Sequence, residues 1–566
     1  FSAVSMSGAS LLLYLSLRNL LRQLSDGKIS WSEELSAFLA AMAFATGNTT
    51  WAWGNTIEAY PFQVLSMGIL LYGLTAYRLS KSKSHLMIAA IGLALGWSNH
   101  HLTMIVFTPF LPLLFCDALL VKRTAEAKTK KRTPTHDPWY VAYYKTLLSK
   151  DFRLFTLVSA SITLGFYFWM VWRAQSEYAF MFGKPENLDL LFYHIRGGAY
   201  TKNLTETSSS ISANRLPYFL NLTAKQFMFF TPLVLAGCYI GFRRGAGRVV
   251  ACVLFYFLIL LTYQLKNNQW ASTDAYLLLP FMTLCIPLAL SINSLMESRL
   301  RRSMVVGILT CCLVGTSVYT YADHDRSSYP VSKDLMKLLD DSAPKNSVIL
   351  ISDWTTLIQY EFYRNEYGFR PDLEVMNYDF KYCHYRLLPI NCPRLYKAVQ
   401  KEYDAFIDAL RVDQPYNVAN TGCDLGNPLV RAAFQRLITA TENYCQASGR
   451  TFLTDPRAHY TYSTERFYNP GRYVSGCFSS GSLCDSAYSD TFLKMDFKFL
   501  DSPLLLDDPS CLDKMVDFQA MLDQHISFYT NNNDQHHLSL ANNARERILG
   551  IQKKLRKSMS FAYKIK

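Results

Sequence analysis

The chain has 566 residues, half of them apolar and 14% aromatic, with 57 Lys and Arg against 44 Asp and Glu. That length exceeds what a single hydrophobic core usually serves, so at least two units are expected. The net charge of +13 does not point to nucleic acid, because much of the excess sits in short links between apolar blocks and no nucleic-acid motif accompanies it.

Residues 1–321 are hydrophobic blocks joined by basic links, whereas 322–566 read as a soluble chain rich in Asp, Tyr, Asn and Ser. The chain opens at Phe1, and no charged leader precedes the first apolar run Leu11–Leu17. That is not a signal peptide, and we expect the natural start to lie upstream. A helix needs about 20 mainly apolar residues to cross the hydrocarbon core. Ten stretches suit that requirement, near 3–21, 34–53, 60–78, 85–99, 101–120, 154–172, 224–242, 249–265, 275–293 and 303–321. The short one near 85–99 is expected to share a tight outer turn with its successor.

Lysine and arginine counts orient the spans. One set of links holds Arg18, Arg22 and Lys28, then Arg78, Lys81 and Lys83, then the run from Lys122 to Arg132. It continues with Arg243, Arg244 and Arg248, and with Arg299, Arg301 and Arg302. The opposite links, at 54–59, Asn99–His101 and 267–274, hold none. The first set is therefore expected in the cytoplasm. Glu58, His100, His101, the loop 173–223, Asp274 and the soluble C-terminal part then share the far side. Ionisable residues are nearly absent inside the spans, which argues against an ion-driven transporter.

In the soluble part, a helical stretch at 333–341 leads to the β-branched run Val348–Ser352, a helix near Thr355–Arg364 and a strand at Leu373–Asn377. Strand, helix and strand within about 30 residues predict a βαβ unit near 334–377, and so an α/β domain over 322–566. No Gly-x-Gly-x-x-Gly follows the first strand, so a dinucleotide site is not supported. Asp353 stands at a strand's carboxyl end, where ligands bind in such sheets, or simply caps the next helix. Past residue 380 come loops with aromatics and cysteines. A final basic helix near Leu538–Lys557 has either a solvated face or a face for anionic lipid.

Of thirteen cysteines, six lie in apolar blocks as small buried hydrophobes. Seven lie in the soluble part, where an oxidising compartment would favour the local closures Cys383–Cys392 and Cys477–Cys484. No thiol pairs recur with zinc-site spacing, which argues against a metal. Asn48, Asn203 and Asn221 each begin an Asn-x-Thr triplet, too common a pattern to identify the type of organism.

Several segments carry a family resemblance. They are Thr50-Trp51-Ala52-Trp53 with Ile57-Glu58-Ala59-Tyr60, the run Gly92–Thr103 containing Asn99-His100-His101, and Asp323-His324-Asp325-Arg326. Pro344–Leu350 and Gly368-Phe369-Arg370-Pro371-Asp372-Leu373 complete the set. Together they resemble the family of the protein O-mannosyltransferase called transmembrane protein 260 and its bacterial relatives. The resemblance covers most of residues 1–380. It implies a GT-C-like polytopic membrane glycosyltransferase that moves a sugar, mannose in the characterised eukaryotic member, from a polyprenyl-phosphate carrier to an acceptor hydroxyl. For that member the acceptor is a protein Ser or Thr, and the resemblance implies a site on the outer face of a bacterial inner membrane or the lumenal face of the endoplasmic reticulum.

Enzymes of this class use an acidic residue in the first outer loop. The family's Asp-x-Gly-Glu and Pro-Pro-Gly elements do not occur here, so the catalytic base is expected upstream of Phe1 and residues 1–566 alone are expected to be inactive. Among the residues present, Glu58 is the leading candidate for substrate binding, as a ligand of the sugar or of a divalent metal. Asn99, His100 and His101 are candidates for the phosphate, and Arg196 could pair with it through its planar fork. Each also has a plainer structural reading, as a span end, a helix cap or a solvated loop residue. A non-catalytic envelope scaffold and a transporter of a lipid-linked precursor are the rival readings.

Overall fold

The computed structural model describes residues 1–25, 30–56, 58–99, 101–115, 138–175, 185–196, 209–266, 274–297, 302–324, 336–337, 339–340, 343–351, 354–377, 387–413, 427–454, 479–480, 519, 522–523, 526–527, 529–531 and 533–560. The chain divides into two compact units, one of Phe1–Phe168 with Lys202–Asp325 and one of Trp169–Thr201 with Arg326–Lys566.

The first unit is helical. In chain order it contains α1 (Ser2–Leu24), α2 (Trp31–Ala45), α3 (Asn48–Gly54), α4 (Tyr60–Ser80), α5 (Lys83–Asn99), α6 (His101–Phe107), α7 (Leu111–Phe115) and α8 (Trp139–Leu147). Next come α9 (Lys150–Ala174), whose last turn passes to the second unit, and that unit's α10 (Leu188–Ile195). The first unit resumes with α11 (Ser209–Phe227), α12 (Thr231–Arg243), α13 (Gly247–Lys266), α14 (Leu278–Met296) and α15 (Arg302–His324).

Among the described residues, six helical segments are long and apolar enough to cross a membrane: Ser2–Leu24, Lys150–Ala174, Arg215–Arg243, Gly247–Lys266, Asp274–Met296 and Arg302–Tyr321. This is a polytopic helical membrane protein. The other expected spans coincide with helices that are shorter or more polar, for identifiable reasons. The stretch 34–53 breaks at Thr46 and Gly47 into α2 and α3. The stretch 101–120 breaks where Pro109 enters a 3-10 turn, since proline lacks the N–H that would continue the helix. Capping explains the start of α2: the Ser30 side chain accepts from the Glu33 N–H while the Glu33 carboxylate accepts from the Ser30 N–H.

Burial sorts these helices. The window in Asp274–Met296 is 89% buried, so this segment forms the centre, whereas those in Lys150–Ala174 and Arg302–Tyr321 are 17% buried. The exposed side chains of those outer helices are themselves large and apolar, among them Leu157, Phe168, Trp172, Ile308 and Val318. Such surfaces suit lipid, not water. Close helix approach needs small residues here, because lipid tails remove the hydrophobic drive and leave packing to hold helices together. A Cβ on Gly92 of α5 would lie 2.5 Å from the Leu70 backbone nitrogen of α4. A Cβ on Gly237 of α12 would lie 1.8 Å from the Pro287 carbonyl oxygen of α14.

The polar contacts of this unit gather at two opposite ends. At one, Arg18 pairs with Glu34 at 2.9 Å and Gln23 donates to the Thr75 carbonyl at 3.0 Å. Arg78 donates to the Leu114 carbonyl at 3.2 Å, Tyr77 meets Asp151, and Arg244 forks onto Glu297 and Ser294. This end carries Arg18, Arg78 and Arg244. The other end carries Trp53, Glu58, Tyr60, Asn99 and Asp274 and is described below.

The second unit contains a small sheet in the order β2-β1-β3-β4, from β1 (Val348–Ile351), β2 (Glu374–Asn377), β3 (Phe452–Thr454) and β4 (Ser479–Ser480). β1 runs parallel to β2, with Val348 opposite Glu374, and parallel to β3, with Val348 opposite Phe452; β3 and β4 are antiparallel. After α10, the helices of this unit are α16 (Trp354–Tyr367), which connects β1 to β2, then α17 (Leu387–Asn391), α18 (Pro393–Asp413), α19 (Pro428–Ser448) and α20 (Gln535–Ser560). The apolar faces of α18 and α19 share a core with the sheet, formed by Val348, Leu350 and Met376 with Leu395, Val399, Phe406, Phe434 and Leu437. Cys392 is a free thiol in that core, where its Sγ donates to the Val375 carbonyl at 3.4 Å. The expected closure Cys383–Cys392 involves Cys383, which is not among the described residues. Cys383, Cys477, Cys484 and Asp353 lie outside the described residues.

Candidate functional site

The candidate site is built where α3, α4, α5 and α6 meet. The short helix α3 is fixed by Gln226 of α11, which is fully buried. Its Oε1 accepts from the Thr49 and Thr50 N–H groups at 3.0 and 3.3 Å. Its Nε2 donates to the Phe44 carbonyl at 3.3 Å and the Thr50 hydroxyl at 3.0 Å. One amide thus satisfies donors left open at the start of α3 and the carbonyl side of the α2 end. Asn48, the first residue of α3, is only 9% exposed, which leaves no room for a glycan.

A second amide network fixes the turn between α5 and α6. Asn99 Nδ2 donates to the Ala59 carbonyl at 2.9 Å and to Gln63 Oε1 at 3.2 Å. Gln63 Nε2 in turn donates to the Gly96 carbonyl at 3.2 Å and the Thr103 hydroxyl at 3.3 Å. Asn99 therefore ties its turn to the residue next to Glu58. His100 and the side chain of His101 lie outside the described residues. Glu58 is solvent-accessible, but the surrounding protein pushes its carboxyl pKa above the usual range, against a smaller opposing effect of the Ala59 N–H that donates to it. A carboxyl shifted toward neutrality is better suited to take a proton from a hydroxyl.

A row of aromatic rings begins around Tyr60, two residues after Glu58 in the chain. Trp53 meets Tyr60 edge-on with ring centroids 5.0 Å apart, Tyr60 meets Tyr276 at 5.8 Å, and Tyr276 meets Tyr263 at 5.7 Å. The Trp53 indole N–H approaches the Asp274 carboxylate without reaching full hydrogen-bond geometry. Asp274 opens a 3-10 turn, Asp274–Leu277, leading into α14. The structure thus brings together Glu58, Asn99 and, unanticipated, Trp53, Gln63 and Gln226. Gln63 and Gln226 escape a sequence reading because an apolar stretch with one amide looks like any span. Arg215 of α11, 4% exposed, is a buried cation that such a reading also passes over.

Arg196 belongs to the second unit, where it follows α10. Its guanidinium lies 5.8 and 5.3 Å from the ring centroids of Phe192 and Tyr193, a cation–π arrangement on its own helix.

The Gly-Phe-Arg-Pro-Asp segment does structural work in the second unit. Arg370 Nη1 donates to the carbonyls of Asp340 and Ala343 at 3.1 and 2.9 Å, and Nη2 donates to that of Pro344 at 3.1 Å. Its Nε and Nη2 fork onto Asp372, each at 2.9 Å, and Asp372 also accepts from the Asn346 N–H at 2.8 Å. The Arg370 guanidinium beside Asp372 holds that carboxyl down to about 2. Nearby, Arg450 pairs with Glu374 and donates to the Asn346 carbonyl at 2.8 Å. All of this lies at the amino ends of β1 and β2, opposite the carboxyl ends where α/β sheets bind ligands.

No curated protein and no solved structure matches the chain. Residues 344–373, with their Arg-Pro-Asp turn, fall beyond the segment that a family model covers. Over residues 1–123, which hold the Thr-Trp-Ala-Trp and Asn-His-His segments, the chain is TMEM260-like: it matches the family model of the protein O-mannosyl-transferase TMEM260 N-terminal domain.

Proposed function

We propose that this protein is a membrane glycosyltransferase that moves mannose from a polyprenyl-phosphate carrier to a Ser or Thr hydroxyl of a protein acceptor. The observation that carries this reading is the segregation of the first unit. Its carboxylates, amides and half-buried rings gather at one end, in and beside a segment similar to a mannosyltransferase domain, and the arginine-bearing links gather at the other. By the positive-inside rule the basic end is cytoplasmic and the reaction end faces the periplasm or the lumen. The second unit, read as an α/β domain, shares that side.

In the reaction the acceptor oxygen bonds to the sugar's anomeric carbon as the bond from that carbon to the carrier phosphate breaks. The bonding pair leaves on the phosphate, and the hydroxyl proton passes to a carboxylate. Glu58 is suited to receive or position that proton because its protein surroundings raise its affinity for it. Asn99 and Gln63 hold the backbone around Glu58. A cation such as Arg215 of the first unit suits the phosphate monoester released.

The test is transfer of radiolabelled mannose from polyprenyl-phosphate mannose to a Ser/Thr peptide by the full-length protein in vesicles. We expect labelled peptide, and at least a tenfold loss of turnover in Glu58→Gln, on the order of what acid–base groups contribute. An intact, folded protein that transfers no sugar from this donor would end the proposal. Labelling of single cysteines at positions 58 and 297 from opposite sides is the matching test of orientation.

A further inference from the structure

Two similar triplets, each an acid followed by Ala-Tyr, precede helices far apart in the chain. Glu58-Ala59-Tyr60 opens α4, and Asp274-Ala275-Tyr276 opens the turn into α14. The fold brings the two copies together, since Tyr60 and Tyr276 are in ring contact at 5.8 Å. Trp53 extends the row on one side and Tyr263 on the other. All four rings are half-buried, so each keeps some surface for another molecule. They come from α3, α4, α13 and the Asp274–Leu277 turn, so the row is a product of the fold and not of one helix.

Aromatic rings scattered around a membrane protein at the interface anchor it to headgroups. This row differs in that the rings touch one another and two of its three tyrosines, Tyr60 and Tyr276, each follow a carboxylate by two residues. A polar group on the same helix as Tyr263 also lacks a partner. Gln264, next to Tyr263, is fully buried, and neither its Oε1 nor its Nε2 has a hydrogen-bond partner among the described residues. On α13 it shares a face with Leu260 and Tyr256, and Tyr256 reaches α6 by donating to the Thr103 carbonyl at 3.2 Å. A buried amide without partners costs roughly 1–3 kcal/mol, so such a group in a folded protein calls for an explanation.

We infer that the Trp53–Tyr60–Tyr276–Tyr263 row, with Glu58, Asp274 and Gln264, is a subsite for the hexose ring of the donor. A pyranose has an apolar face of C–H groups and a rim of hydroxyls. Flat rings accept the first, while carboxylates and an amide accept and donate to the second, which is the usual division of labour in small-molecule sites. Asp274 and Gln264 then act in sugar recognition. This inference rests on the glycosyl-transfer reading for the identity of the sugar as donor.

The test uses the full-length protein in vesicles, with polyprenyl-phosphate mannose as substrate and methyl α-mannopyranoside as a free probe. Tyr276→Leu and the near-isosteric Asp274→Asn are each expected to raise the donor KM about tenfold, equivalent to about 1.4 kcal/mol. Inhibition by methyl α-mannopyranoside should weaken in parallel, and the peptide KM should not move. Unchanged donor KM and inhibition in folded Asp274→Asn would overturn the subsite while leaving the transferase reading intact. If the protein transfers no mannose, saturation-transfer NMR with methyl α-mannopyranoside separates the two ideas. A signal that is lost in either variant supports the subsite without the reaction, and no signal in the wild-type protein overturns it.

Discussion

The end of α5 at Asn99 in the first unit and the Arg-Pro-Asp turn after α16 in the second both close a regular element, and they are held by different forces. Around Asn99 the work is done by neutral amides: Asn99 on Ala59 and Gln63, and Gln63 on Gly96 and Thr103. Around Arg370 it is done by charge, with one guanidinium serving three carbonyls and the Asp372 carboxylate. The difference follows from the surroundings. A charge at the edge of the hydrocarbon carries a large desolvation penalty, so amides are the strongest links available there. The second turn borders water, and Arg370 and Asp372 are 13% and 26% exposed, where a forked ion pair keeps most of its attraction at a smaller penalty.

The sharpest way to break this comparison is Arg370→Ala. It strands three carbonyls and a carboxylate, and should destabilise the second unit by about 3 kcal/mol, the scale for removing one partner from a hydrogen-bonded charge pair. Arg370→Lys keeps the charge but not the fork and should recover less than half of that. Chemical denaturation followed by limited proteolysis within 343–454 reads the effect. Equal stability of Arg370→Ala and wild type would show that the Arg-Pro-Asp turn is not held by charge.

The first unit should be more sensitive to volume than to charge. Gly92→Ala drives a methyl group to 2.5 Å from the Leu70 nitrogen, which is backbone and cannot turn aside. A loss of about 2 kcal/mol is expected, as for overpacked cores. Gly96→Ala is the built-in control, because its nearest neighbours, 2.7 Å away, belong to the flexible Met104 side chain. Thermal unfolding in detergent should therefore rank Gly92→Ala clearly below Gly96→Ala. The reverse order would mean that α4 and α5 do not pack as described.

Gln63→Leu comes next, at about 1 kcal/mol, since it removes a hydrogen-bonding amide while preserving most of its volume. Its signature is local: faster hydrogen exchange in the turn after Asn99, with the second unit unchanged. Here the limits of the sequence become physical. Apolar blocks and basic links suffice to place most helices of the first unit, because length and hydropathy are what a bilayer demands. The break at Thr46-Gly47 is hidden, since it depends on Gln226, which is 177 residues away from Thr49 in the chain. Glu58 and Asn99 stand out as polar residues at span ends, while Gln63 and Gln226 do not, although they hold that end together. The Arg-Pro-Asp segment is visible as a motif, but only the register of β1 on β2 shows that it lies at the sheet's amino end. Arg196 stands out in sequence as a cation in a far-side loop, but its rest on Phe192 and Tyr193 is not legible there.

Acid titration separates the two regions with the smallest effect and with opposite signs. Asp372 has a folded value of about 2 against an ordinary 3.8, so its stabilisation is complete above pH 3.8 and is lost as pH falls through about 2. Glu58 is shifted upward from 4.5, so its favourable contribution is complete below pH 4.5 and is lost as pH rises through its folded value. Both carboxyls are substantially exposed, which screens these effects to the point where global unfolding is a poor probe. The Asn346 amide is a better one, because it donates to Asp372 at 2.8 Å. Its hydrogen-exchange protection, corrected for the intrinsic rate, should fall between pH 4 and pH 2, and Asp372→Asn should flatten that dependence. Protection that declines equally in Asp372→Asn would trace the loss to another group and remove the carboxylate from the account of the turn.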